Sequence, residues 1–321
     1  MYRDGDILLT RDKLIFTVLG YTHPPSRVIA ALKYIPEELK HLFPGEYEGV
    51  RWRLAGTTML RQVDALTPRG YLRSLSVLRE HFPAYVYCCP YLGKELIAVP
   101  TSRIERHITP QEGRLAVEEK PRRDPLEQKA LELMQELERE AKLPEYTIGL
   151  RGSIALQMHT SSSDIDLAVE GAENYTRVIE AALSLEAKGR LEITRVDWIS
   201  KRRLNRGVYR GARFVINAVK PRHEAAERYG ERRFTPVARV RGSCRIIDSK
   251  LSHYRPAVYK IANPTITPQP VQLVSWNGEH RSLFKEGEHI RFRGTLELVS
   301  NGEECYQVAI GTAPGDYLRP K

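Results

Sequence analysis

Two acidic residues separated by one apolar residue open the run Asp164-Ile165-Asp166-Leu167-Ala168-Val169, and they restrict what this stretch can become. A short apolar run of this kind, closed by Gly171, reads as a strand. Side chains alternate across a strand, so Asp164 and Asp166 point to one face while Ile165, Leu167 and Val169 point to the other. The apolar face must be buried, which puts the strand in a sheet covered on one side. Two carboxylates side by side repel each other, and a divalent cation removes that repulsion. Hard carboxylate oxygens suit Mg²⁺ or Mn²⁺ rather than zinc.

Ten residues separate Gly152-Ser153 from Asp164, and the pair falls between a strand at residues 146–150 and a short helix from Ile154 to about His159. Glycine lets backbone approach closely and adopt unusual φ. The first N–H groups of the following helix lack intrahelical partners and suit phosphate, with the Ser153 hydroxyl as a further donor. One end of the site can thus hold a triphosphate and the other the cations that bridge it, as in-line nucleotidyl transfer requires.

The pattern Gly152-Ser153-x(10)-Asp164-Ile165-Asp166-Leu167 resembles the signature of the polymerase-β-like nucleotidyltransferases. The resemblance implies that Gly152 and Ser153 bind the phosphates of an NTP and that Asp164 and Asp166 are metal ligands. It also implies a third carboxylate on a later strand, a ligand that activates the attacking hydroxyl. Asp197, in Arg195-Val196-Asp197-Trp198-Ile199, is the candidate, with an exposed strand residue as the alternative. Glu224 and Asp248 stand behind it. The stretch Arg213-Phe214-Val215-Ile216-Asn217 has no acid where some members of the superfamily carry one. The whole chain is also similar to a group of uncharacterised archaeal predicted nucleotidyltransferases. The residues that carry this likeness are Asp4-Gly5-Asp6-Ile7, Gly20-Tyr21-Thr22-His23-Pro24-Pro25, Arg27-Val28-Ile29-Ala30, His159-Thr160 and Asp316-Tyr317.

At 321 residues with 41% hydrophobic content, the chain is long enough for two or three cores. The expected class is α+β. A small α+β domain of unknown role spans 1–120. A nucleotidyltransferase domain spans 121–222, a mixed sheet with helices on one side. A β-rich domain follows at 223–321, with a small substrate-binding barrel as one form it can take. Thr67-Pro68 starts a helix to Glu80, and Asp124-Pro125 caps and starts another. Residues 191–199 and 208–219 read as a hairpin around the basic loop Lys201 to Gly207. The four cysteines form no Cys-x-x-Cys pair and read as reduced thiols. No apolar run is long enough to span a bilayer and the first residues lack a secretory pattern, so a cytoplasmic protein is expected.

Net charge is +10, and its distribution is uneven. Residues 201–260 hold 17 Lys or Arg against 4 Asp or Glu, an excess of 13, which leaves the remainder at −3. Such a local excess points to a polyanionic partner. With a phosphate-handling site next to it, RNA is the expected acceptor. Lys201, Arg202, Arg203 and Arg206 are the expected contacts to acceptor or phosphate. Loss of catalysis with retention of nucleic-acid binding is the alternative reading. His23 is expected to satisfy a turn, and His159 to lie near the phosphate loop.

Overall fold

The structure is a computed structural model and describes residues 1–225 and 227–321. It is a mixed α+β protein with three sheets. The first holds β1 (Ile7–Thr10), β2 (Ile15–Val18), β3 (Arg27–Pro36), β4 (Trp52–Leu54), β5 (Thr57–Leu60), β6 (Val86–Cys89), β7 (Lys94–Pro100) and β8 (Ile104–Ile108). Its main path runs β4-β5-β3-β2-β1-β8, and β7 joins β3 to β6. Helix α1 (Pro68–His81) starts where Pro68 and the Thr67 side chain, which accepts from the Gly70 N–H, set its first turn. Its Leu75, Val77 and Leu78 bury against Leu8, Phe16, Val28 and Ile97.

Helices α2 (Pro110–Glu118) and α3 (Pro125–Glu140) follow, each with a capping box, at Thr109/Glu112 and Asp124/Glu127. The polar stretch 119–124 joins them, and Val117 of α2 shares a core with Leu126 of α3. The second sheet comprises β9 (Ile148–Arg151), β10 (Ile165–Glu170), β11 (Glu192–Ile193), β12 (Arg206–Tyr209) and β13 (Ala212–Val219), in the order β11-β12-β13-β10-β9. The β10–β13 pair is parallel and the rest are antiparallel, so the sheet is mixed. A single helical turn, α4 (Gly152–Ala155), follows β9, and α5 (Ala172–Ala187) follows β10. Ile165, Leu167 and Val169 face α3 and α5 in one core with Leu133, Leu137, Val178 and Ala182. This burial is what the alternating pattern predicts.

The expected long strand over 191–199 is not formed. Only Glu192 and Ile193 pair, and α6 (Trp198–Arg203) replaces the basic loop. Val196 is 82% exposed, so this stretch has no buried apolar face to hold it in a sheet.

The third sheet contains β14 (Arg233–Asp248), β15 (Ala257–Ala262), β16 (Pro270–Ser275), β17 (His289–Asn301), β18 (Glu303–Ile310) and β19 (Tyr317–Pro320). Its order is β14-β15-β16-β18-β17-β19, and a further β14–β17 pairing curls it into a barrel-like form. Tyr259, Leu273, Phe292, Leu296 and Val308 fill its interior.

The three units are tied together. Ile7, Tyr34, Trp52 and Met59 from the first sheet pack with Ala155, Leu156 and Met158 after β9. Asp4, fully buried, accepts from Arg255 Nε at 2.7 Å, just ahead of β15. Arg281 donates to Asn217 Oδ1 on β13 at 2.7 Å. The face of the second sheet opposite its helices therefore meets both neighbours.

Candidate functional site: a cleft around Asp164 and Asp166

β9 ends at Arg151, which lies directly opposite Asp166 in the antiparallel register, so both side chains project from the open face. The chain then turns at Gly152 with φ +69°. A Cβ there would sit 2.1 Å from Asp166 Oδ2, so the backbone lies against the carboxylate and any side chain at this position would push it aside. No side chain caps the turn that follows. The N–H groups of its first residues therefore have no intrahelical acceptor beside an acidic group. Four residues make a weak dipole, so the individual N–H donors matter here more than a summed helix field.

Asp164 stands one residue ahead of β10 and Asp166 is its second residue. The loop before them is held by its own hydroxyls. Ser163 Oγ accepts from the Thr160 N–H at 3.0 Å, and the Thr160 and Ser162 hydroxyls are 3.0 Å apart. Both acids, with Ser153, Thr160, Ser162 and Ser163, line one narrow cleft of about 100 Å³. That space takes the phosphate end of a nucleotide rather than the whole of it.

The opposite wall comes from the first sheet, a contribution with no local signal in the sequence. Tyr34, Glu48, Val50, Trp52 and Arg61 line it. Arg61 donates from Nε and Nη2 to the two Glu48 oxygens at 2.7 and 2.8 Å. Its guanidinium lies over the rings of Trp52 at 5.2 Å and Tyr34 at 5.6 Å. Arg is suited to this double use because its planar fork pairs and stacks at once. Lys33 on β3 also belongs to this field. Loss of solvation lowers its ammonium to about 8; Asp166 pulls the other way, and Arg61, Arg151 and Arg255 add to the lowering. The cleft thus brings cations from two sheets around its acids.

β13 supplies a cation to the face that carries the two acids. It runs parallel to β10 with Asp166 beside Val215, so Arg213, Val215 and Asn217 share the face of the acids. Arg213 Nε donates to Asp164 Oδ1 at 2.7 Å. The two side chains are 69% and 49% exposed, so the pair adds at most about 1 kcal/mol to stability.

Asp197 is not on a strand beside these acids. It is the N-cap of α6, where its side chain accepts from the Ser200 N–H at 2.7 Å and Ser200 returns a bond to its own N–H. That backbone hydrogen bond holds its carboxyl below the usual range. The basic residues after it are also turned elsewhere. Arg202 bonds the Leu283 carbonyl and pairs with Glu288, Arg206 pairs with Glu279 at 3.6 Å, and Arg203 is buried. Arg202 thus ties α6, and Arg206 ties β12, to the segment between β16 and β17, while Lys201 is exposed. Glu224 accepts from the Tyr254 hydroxyl and Asp248 from the Lys250 N–H. None of these residues lines the cleft.

His23 holds its turn with both ring nitrogens. Nδ1 accepts from the Ile29 N–H and Nε2 faces the Tyr2 carbonyl, each at 3.2 Å. His159 bonds Asp124 at 2.6 Å, and their ligand atoms lie within 4.8 Å of one another and of Glu127. Asp124 and Glu127 are already committed to the cap of α3, and Glu127 pairs with Lys120. This cluster reads as a helix start fixed to the loop after α4.

Two same-face carboxylates suit Mg²⁺, which is commonly held by one or two acids with substrate phosphates and water completing the shell. The close fit of Gly152 against Asp166 keeps that carboxylate beside the turn that opens α4.

Over 99% of its length the chain is 25% identical to a Methanocaldococcus jannaschii protein described as the uncharacterised protein MJ1086, of which it likewise covers 99%. No family model and no solved structure matches the chain.

Proposed function

We propose that the cleft is a nucleotidyltransferase site, transferring a nucleoside monophosphate from an NTP to a hydroxyl acceptor by a two-metal mechanism. The observation that carries this reading is the contact of Gly152, at φ +69°, with the Asp166 carboxylate. It would bring a turn suited to phosphate beside an acid suited to a metal. Ser153 and the free N–H groups of the turn would hold the triphosphate. Asp164 and Asp166 would hold Mg²⁺ or Mn²⁺, which supplies charge neutralisation at the phosphate under attack. Arg61 and Arg213 flank the acids as further phosphate contacts. Asp197 is dropped as the third ligand; Glu48 is the other carboxylate that lines the cleft, and its oxygens, with those of Asp164 and Asp166, do not all lie within 4.8 Å of one another as the side chains stand. For Glu48 to serve, Arg61 must exchange it for a phosphate, an exchange its fork geometry permits. RNA is the proposed acceptor, from the basic excess of residues 201–260.

Calorimetric titration with Mg-ATP tests the site. Wild type should bind, and Asp164→Ala and Asp166→Ala should not. Equal binding by all three would remove the site.

A second reading is a nucleotidyltransferase-like fold that binds nucleic acid without turnover. It is favoured by Arg213, which occupies Asp164 from the face of β13 that carries no acid. Incubation with labelled NTPs, cellular RNA and protein separates the two, because transfer of label to any acceptor excludes it.

A further inference from the structure

The outer face of the third sheet carries an array of arginines that form no ion pair among the described residues. Arg241 on β14 lies directly opposite Arg293 on β17, and Arg291 lies directly opposite Arg319 on β19. Arg245 faces His289 across the same β14–β17 pair. Residues directly opposite, and those two apart along a strand, share a face. The buried residues between them, Cys244, Ile290, Phe292 and Leu318, point inward, so these arginines all point out and are exposed. Arg239 on this face pairs with Asp316. Among the described residues, Arg241, Arg245, Arg291, Arg293 and Arg319 have no acidic partner.

Like charges directly opposite each other destabilise a sheet. Two such pairs on adjacent strands cost stability and contribute nothing to the barrel-like core. Strands lie about 4.8 Å apart and same-face residues about 6.7 Å apart along each strand, so the guanidiniums form a regular grid. Tyr317 stands directly opposite Arg293 on the far strand, its ring under the Arg319 guanidinium at 5.0 Å. Ser243, opposite Arg291, and His289 add hydroxyl and imidazole groups to the same face.

We propose that this face binds a single strand of RNA. A sheet face with a regular cationic grid, in which the Arg319 guanidinium caps the Tyr317 ring, suits an extended backbone whose bases stack on that guanidinium plane or take its place on the ring. A duplex would instead need elements that enter its grooves. Ser243 and His289 can meet the 2′-hydroxyl, which DNA lacks. The surface is separate from Asp164 and Asp166, and the proposal stands whether or not the cleft transfers nucleotides.

Fluorescence anisotropy with a labelled 20-nucleotide RNA over a salt series tests it. Five phosphate contacts predict a slope of log K against log salt near about −3.5, from about −0.7 per contact for single strands. The triple variant R241Q/R291Q/R293Q should bring the slope to about −1.4 and weaken binding roughly 100-fold at 0.1 M salt. Because it removes both like-charge pairs, its unfolding midpoint should be no lower than wild type, and its binding of Mg-ATP should be unchanged. An unchanged slope, a wild-type affinity for the triple variant, or tighter binding of duplex RNA or of a DNA strand of the same sequence would each overturn the proposal.

Discussion

Gly152→Ala separates the two duties of this glycine. The backbone there has φ +69°, which an alanine adopts at a cost of about 1–2 kcal/mol. A stiffer unfolded chain returns about 0.4–1 kcal/mol. Gly211, in the β12–β13 turn, has φ +80° and nothing within 4 Å of an added Cβ. Gly211→Ala therefore carries the same conformational cost with no clash. At Gly152 the new methyl would meet Asp166 Oδ2 at 2.1 Å, while real Cβ contacts stay beyond 3.0 Å. The carboxylate must retreat by about 1 Å, a misplacement that can cost about 100-fold in a positioned site. Thermal unfolding and Mg-ATP titration of both variants give the readout. Gly152→Ala should fall below Gly211→Ala in midpoint and lose at least about tenfold in nucleotide affinity, with Gly211→Ala binding as wild type. If the two variants matched in both measurements, the contact between glycine and carboxylate would have no functional weight.

Three further outcomes follow from the same geometry. Asp197→Ala removes an N-cap and should cost about 1 kcal/mol in chemical denaturation while leaving Mg-ATP affinity intact; a loss of affinity would return Asp197 to the site. Asp4→Ala strands the nearly buried Arg255 and should cost about 3–5 kcal/mol, so an unchanged unfolding midpoint would contradict the pair. His280 is lowered to about 4, by burial first and by Arg203 second, so it stays neutral in the fold while the unfolded chain takes up a proton below about pH 6.5. Its contribution is complete above about 6.5 and is lost as pH falls toward 4, by up to about 1.4 kcal/mol per pH unit. Urea unfolding at pH 7 and pH 5 should show this loss, and His280→Gln should reduce it; an equal pH response in the variant would exclude the assignment.

The placement of Asp166 on an open sheet face was legible because a strand has a period of two and its apolar partners had to be buried. The caps at Thr67 and Asp124 were legible because they are local, set by residues within one turn. Asp197 was misread for a related reason. Val196, Asp197 and Trp198 alternate as a strand would, but Asp197 and Ser200 also stand three apart, as the ends of a helix cap do. With Val196 82% and Trp198 40% exposed, burial did not favour the strand. The second wall of the cleft was not legible at all. Tyr34, Glu48, Trp52 and Arg61 reach Asp166 from more than a hundred residues away, and neither periodicity nor capping carries information over that distance. The basic excess was visible as composition, but the division of it was not. Arg202 and Arg206 are spent on pairs with Glu288 and Glu279, while the guanidiniums without an acidic partner among the described residues lie on β14, β17 and β19.

The bond between Asp4 and Arg255 joins residues 251 positions apart. At a synthesis rate of about 5–20 residues per second, roughly 13–50 s pass between the emergence of one partner and that of the other. During that interval the first sheet can form from its own strands, but its buried aspartate has no cation. The nascent N-terminal unit must therefore keep this corner open to water until most of the chain has been made. A ribosome-bound chain stopped before residue 255 should expose Asp4 and the turn at Gly20 that donates to it, and closure of that corner would report arrival of the third sheet.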